Sequence, residues 1–313
     1  MKYLLISLIF LCSLSILSVY IFLPATINFS KVAIIKTKLN IANRFLLDES
    51  RWNQWFPSSS ENTHSDSSLN KYNRYAYSIE KKTMNAAAIS ISNNEVSQHS
   101  VLNIISINRD SIAIEWKSEM PKVSNPIGRV RNYIAARKLQ NDMGNILDSL
   151  KKFLARDVNV YGIHLYETMS RDSALVATQF VTKLYPSTNE IYNAIALLKK
   201  YIISNEAKEN NYPMLHVKEI NDTTFETMVA IPINKYLAGN NKIFLKRFVP
   251  WKVLAAEVRG GNNTVKEAFQ QMATYISDYG KTAMAMPFAS LVTDRSLEQD
   301  TLKWVTRIYT PVP

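Results

Sequence analysis

Cysteine is nearly absent from this chain of 313 residues, with Cys12 the sole example. That count excludes a disulfide within the chain, a cysteine-rich metal site and a thiol nucleophile in the folded body. Histidine is scarce too: His64, His99, His164 and His216 are scattered, and no i, i+4 pair marks a metal-binding helix face. The sequence holds no HExxH, no GxSxG, no GxxxxGK followed by Ser or Thr, and no GxGxxG. No metal and no cofactor is therefore expected. Acidic residues are outnumbered, 26 against 37 basic, leaving a formal charge of +11. Charge alone admits nucleic acid and anionic lipid as partners. A disorder signature is also missing, since 47% of residues are hydrophobic and 20% charged. The length suggests about two domains.

What the chain does have begins with an apolar run. Residues 3–23 carry no charge and are long enough for a bilayer span, which needs about 20 residues. A cleaved signal peptide fits less well, because its apolar stretch is normally about 7–15 residues and Leu23-Pro24-Ala25 makes a poor cleavage site. The expectation is a single-pass N-terminal membrane anchor over 1–24. Lys31, Lys36 and Lys38 outnumber Lys2 across the run, which favours a cytoplasmic body.

Between 25 and 157 the reading is a long strand (Ile27 to Leu39), a short helix (Ile41 to Leu47), a polar loop over 58–71 and an antiparallel meander. A strong amphipathic helix follows, with Leu139, Met143, Ile146, Leu147, Leu150, Phe153 and Leu154 on one stripe. With the Trp52-x-x-Trp55-x-Pro57 run after the first helix, this block resembles the SRPBCC superfamily of polyketide cyclase and START-like proteins. The resemblance implies a helix-grip fold around an apolar cavity, which Trp52, Trp55 and Trp116 would line, with ordinary core packing as the alternative for each.

The last half repeats itself. Residues 174–233 and 253–312 each read strand, helix, strand, strand. The helices share one apolar spacing, Ile191, Ala194, Ile195, Leu198, Tyr201, Ile202 against Val265, Ala268, Phe269, Met272, Tyr275, Ile276. Each opens with a capping-box pattern, Ser187-x-x-Glu190 and Thr264-x-x-Glu267. Each is followed by a proline-led strand, at Pro213 and Pro287, and each copy closes on a Pro-hydrophobic pair, Pro232-Ile233 and Pro311-Val312. This is an internal duplication, and pairing about a pseudo-twofold axis would bury the bare face of each copy. Over 161–313 the chain resembles the GyrI-like or AraC-type effector-binding domain, most closely in the tail Trp304-Val305-Thr306-Arg307-Ile308-Tyr309-Thr310-Pro311-Val312. The resemblance implies a small-molecule site between the two halves. The family has a glutamate where Arg307 stands here, a departure that suits an anionic or neutral ligand better than a cation.

The expected fold class is thus α+β: an anchor helix, a helix-grip domain over 25–157 and a duplicated β-α-β-β domain over 161–313. The candidate ligand-binding residues are Tyr309, Arg307, Trp304, Tyr275, Trp251, Met228 and Glu257. Aromatics with polar tips give contact area, and Arg gives a planar fork for carboxylate or phosphate. No catalytic residue stands out; Glu226 and Glu257 are the only acids on repeat strands worth weighing as a general base. The basic residues around the long helix (Arg129, Arg131, Arg137, Lys138, Lys151, Lys152, Arg156) suit anionic lipid headgroups or plain solvent. No helix-turn-helix precedes the effector-type domain, so nucleic acid is not expected. The reading is a membrane-anchored, non-catalytic binder of a small amphipathic or hydrophobic molecule. The alternatives are a hydrolase or cyclase using one cavity, and a ligand-responsive regulator acting through a protein partner.

Overall fold

The computed structural model describes residues 2–57, 70–93, 97–170, 174–247 and 251–313. His64 and most of the polar loop expected over 58–71 lie outside the described residues, as does the side chain of Cys12. The chain divides into two compact units, Met1–Arg156 and Asp157–Pro313.

Unit 1 starts with helix α1 (Lys2–Phe22), strand β1 (Ile27–Ile35), helix α2 (Leu39–Leu46) and a 3-10 turn at Glu49–Gln54. Strands β2 (Asn70–Tyr72), β3 (Tyr75–Lys82), β4 (Ala86–Ser92), β5 (Ser97–Asn108) and β6 (Ser111–Met120) precede the long helix α3 (Pro126–Leu154). The six strands form one antiparallel sheet in the order β1-β6-β5-β4-β3-β2. Alternation places Ile112, Ile114 and Trp116 of β6 inside. Helix α3 begins on Asn125, whose side chain accepts from Gly128 N, with Pro126 in the first turn. It buries Leu139, Met143, Ile146, Leu147, Leu150 and Leu154. The strand expected to reach Leu39 ends at Ile35, because the next helix already starts at Leu39.

The anchor expected over residues 1–24 and the membrane localisation drawn from it need correcting. Among the described residues no helix is long and apolar enough to cross a membrane. Helix α1 forms, but its end is tied to the rest of unit 1 by polar groups. Tyr20 OH donates to Ser124 O at 3.0 Å, and Arg129 lies 4.6 Å from the Tyr20 ring while donating to Leu23 O at 2.9 Å. The Ser13, Ser15 and Ser18 hydroxyls turn back onto backbone carbonyls within the helix. Arg129, counted above among residues free to meet lipid, is thus already engaged.

Unit 2 runs through α4 (Asp157–Tyr161), β7 (Tyr166–Met169), β8 (Ala174–Thr182), α5 (Thr188–Ser204), β9 (Met214–Asn221) and β10 (Thr224–Pro232). It continues with β11 (Phe244–Arg247), β12 (Lys252–Arg259), α6 (Asn262–Asp278), β13 (Phe288–Leu291), a 3-10 turn at Thr301–Lys303 and β14 (Val305–Pro311). Eight strands make one sheet, β11-β8-β10-β9-β13-β14-β12-β7, antiparallel throughout. The repeated order strand, helix, strand, strand is present twice, as β8-α5-β9-β10 and β12-α6-β13-β14. Within the sheet the copies are laid back to back: first, third and second strand of one, then second, third and first of the other. They join at β9 and β13, where Ala289 faces Leu215 and Ser290 faces Met214.

Both helices cover the same kind of sheet face. Helix α5 packs Ile191, Ile195, Leu198 and Ile202 on Val176, Leu215, Val229 and Ile231. Helix α6 packs Val265, Ala268, Met272 and Ile276 on Leu254, Ala256, Ala289 and Ile308. Helix α5 carries the expected capping box between Ser187 and Glu190. Helix α6 does not: it starts at Asn262 behind Gly261, with no side-chain cap, so Thr264 and Glu267 already sit inside its first turns. The chain enters it through Gly260 at φ +134°, a conformation that favours glycine.

Candidate ligand site

Alternation along β14 splits the tail motif between two faces. Thr306, Ile308 and Thr310 are buried on the helix side, where Thr310 Oγ1 lies 3.1 Å from Met272 Sδ. Arg307 and Tyr309 share the other face. Register builds the rest of that face around them: Glu257 of β12 faces Arg307, Phe288 of β13 faces Tyr309, and Ser290 faces both Arg307 and Met214. The Phe288 and Tyr309 rings stack with centroids 5.1 Å apart and planes at 24°. Arg307, Tyr309, Phe288, Ser290 and Met214 line a cavity of about 290 Å³ together with Tyr166 of the edge strand β7; Glu257 is not on its wall and reaches it only through Arg307.

Its electrostatics come from one pair. Arg307 Nε donates to Glu257 Oε2 at 3.2 Å, and that bond holds the Arg307 pKa above its ordinary value. Both side chains are about 40% exposed, so water screens the pair and a ligand can compete for it. The site therefore offers a guanidinium, a carboxylate, the Ser290 hydroxyl and a stacked aromatic wall. That set can bind and orient a small polar-headed aromatic molecule.

The other residues expected at the site do not line this cavity. Met228 is on the same face, two residues from Ala230, which packs with Met214, Phe288 and Tyr309. Trp251 is half-buried just ahead of β12, its carbonyl accepting from Ser170 N at 2.9 Å. Tyr275 belongs to an aromatic cluster under α6, 4.4 Å from the Tyr279 ring and 5.2 Å from that of Tyr161. Burial pushes its hydroxyl up to about 12. Trp304 is buried on the helix side, donating Nε1 to Glu298 O at 2.8 Å.

In unit 1 the three tryptophans sit in an aromatic chain. Trp52 is 5.8 Å from Trp55 and stacks on Phe56 at 5.6 Å, Phe56 meets Tyr77, and Tyr77 meets Trp116 at 5.8 Å. Each indole N–H is satisfied internally, by Leu46 O, Phe45 O and Ser100 Oγ. Packed rings with satisfied N–H groups are what a core uses.

One residue that the sequence reading passed over is Arg295. In the sequence it sits in a polar stretch, Asp294-Arg295-Ser296, that looks like a solvated loop. In the fold it is only 6% exposed, its guanidinium 4.6 Å from the Trp304 ring. Nothing in the linear sequence signals that, because the burial comes from Trp304, Thr306 and Asn262 closing over it.

Comparison with known proteins adds likeness at a low level. No family model matches the chain, and no curated protein matches. Among solved structures, the EcmrR–DNA complex matches at 15% identity over 58% of this chain and 70% of that one, with a TM-score of 0.44. The EcmrR C-terminal domain matches at 14% identity over 48% of this chain and 98% of its own, TM-score 0.41. The di-domain aromatase/cyclase BexL matches at 8% identity over 92% of this chain and 85% of its own, TM-score 0.32. All three are distant likenesses, at 15% identity or less. With TM-scores below 0.5 they say nothing of this chain's ligand or activity.

Proposed function

We propose that unit 2 is a small-molecule-binding module of the effector-binding kind, its two copies related by a pseudo-twofold axis between β9 and β13. The ligand sits against Arg307, Tyr309, Phe288 and Ser290. The observation that carries this reading is the convergence of strands from both copies on the 290 Å³ cavity, with Met214 from the first and Phe288, Arg307 and Tyr309 from the second. Cavities of roughly 300 Å³ and upward with a few polar groups on apolar walls are the usual form of small-molecule sites. Arg307 selects an anionic or neutral polar group, and Glu257 gives way to it. Binding, not turnover, is the role, and unit 1 is a helix-grip domain.

Fluorescence titration of the full chain with the amphipathic anion anilinonaphthalene sulfonate tests this, with the cation tetraphenylphosphonium as the contrast. Charged hydrogen bonds are worth about 1.5–3 kcal/mol, so Arg307→Ala should weaken the anion roughly tenfold or more and leave the cation no weaker. Equal binding of the anion by wild type and Arg307→Ala would remove the site.

A further inference from the structure

The helix side of the same sheet holds a second cavity, of about 350 Å³. It lies across the seam from the site above and does not depend on it. Its walls are mostly apolar: Leu215 and Val217 of β9, Phe225 of β10, Phe269 and Ala273 of α6, and Ala289 of β13. Its polar members are His216, Glu219, Asn262, Lys266, Gln270 and Arg295, and of these Arg295 alone is buried.

Arg295 is an unusual cation. It is 6% exposed, yet among the described residues it forms no ion pair with a carboxylate. It donates from one terminal nitrogen to Asn262 Oδ1 at 2.9 Å and from the other to Thr306 Oγ1 at 2.7 Å. Its Nε, buried as well, has no hydrogen-bond partner. A guanidinium has five N–H donors, and two bonds to neutral acceptors leave most of them and the whole charge uncompensated. Removing a charge from water without an opposite charge costs several kcal/mol, so buried cations are normally paired. Burial pushes the Arg295 pKa down, as expected for a cation without an acid beside it. The position is nonetheless held firmly: Trp304 lies under the guanidinium, and Arg295 N donates to Tyr192 OH at 2.6 Å.

Two further features add positive potential to the same cavity. The first turns of α6 contribute Asn262, Val265 and Lys266 to the wall. That helix end has no side-chain cap at Gly261, and the positive end of its dipole adds to the potential there. Neither feature identifies a ligand alone, but a fixed, unpaired guanidinium beside an uncapped helix start in an apolar cavity does.

We infer that this second cavity binds a small amphipathic carboxylate, an aromatic acid by preference, with its carboxylate on Arg295 and its apolar body against Phe225 and Phe269. One buried guanidinium balances one negative charge. Lys266 and Glu219, both exposed on the wall, carry opposite charges, so a phosphate dianion would leave one charge without a partner, which is why the carboxylate is the better match.

Calorimetric titration of the full chain with naphthylacetate and with its neutral amide, naphthylacetamide, tests the assignment. Wild type should bind the acid at least about tenfold more tightly than the amide. Arg295→Met should remove that difference. Ala273→Trp, at an exposed position on the cavity wall, should abolish binding of both while leaving anilinonaphthalene sulfonate at the Arg307 site unchanged, so the two readings fail separately. If Arg295→Met does not fold, Ala273→Trp and the acid-to-amide ratio in wild type still decide. Acid and amide binding equally, or acid binding surviving Ala273→Trp, overturns the inference. Naphthyl phosphate binding more tightly than naphthylacetate overturns the choice of carboxylate.

Discussion

Replacing Ser187 by alanine, and separately Thr264 by alanine, asks whether two helices with the same opening motif start in the same way. In α5, Ser187 Oγ accepts from Glu190 N at 3.3 Å, and Ser187 N donates to Glu190 Oε2 at 2.8 Å. Loss of an N-cap serine costs about 1 kcal/mol, within a range of roughly 0.5–2. For a unit of this size that lowers Tm by about 2–4 °C. In α6 the cap position is Gly261, so Thr264 caps nothing. Alanine has the higher helix propensity, and Thr264→Ala should change stability by less than about 0.5 kcal/mol, in the stabilising direction if at all. Differential scanning calorimetry of the full chain, following the transition of unit 2, reads both changes. Amide hydrogen exchange at Glu190 and Ile191 gives the local signal, which should speed up only in Ser187→Ala. Equal losses of Tm in the two variants would refute the difference between the helix starts.

Two further outcomes follow from the same fold. Asp142, buried on α3 and accepting from Asn73 Nδ2 at 2.7 Å, has its pKa raised by burial from the ordinary 3.8. The folded chain then holds that proton more tightly than the unfolded chain, so this group's contribution to stability falls as pH rises from about 3.8 through the raised folded value. Urea midpoints of wild type should decline toward neutral pH relative to Asp142→Asn; parallel pH profiles would count against it. Gly260→Ala should cost more than about 1 kcal/mol. A Cβ there would stand 2.7 Å from Thr264 Oγ1 on a backbone at φ +134°, and an unchanged Tm would contradict that geometry.

The duplication was legible because it is written in periodicity. Leu198 and Met272, at matched places in the two helices, are both fully buried, and Pro213 and Pro287 each stand directly ahead of the second strand of a copy. The pairing of Arg307 with Tyr309 on one face followed from strand alternation alone. Other features depend on distances between residues far apart in the chain. The uncapped start of α6 depends on where β12 ends, and Thr264-x-x-Glu267 imitates a cap three residues past the true cap position, Gly261. Strands β7 and β11, four residues each, are too short to carry a pattern, and they exist because the edges of the sheet accept them. The apolar start of the chain was misread for a different reason: composition shows how greasy a helix is, but not that Arg129 and Ser124 hold its end.

The short pairing of β9 with β13 has a mechanical meaning. Met214 and Ser290 line the Arg307 cavity, while their neighbours Leu215 and Ala289 line the Arg295 cavity. A partition one backbone thick separates the two chambers, and its alternate side chains are the floor of one and the ceiling of the other. Each strand therefore walls two chambers at once, and no residue of the pairing is shared between them.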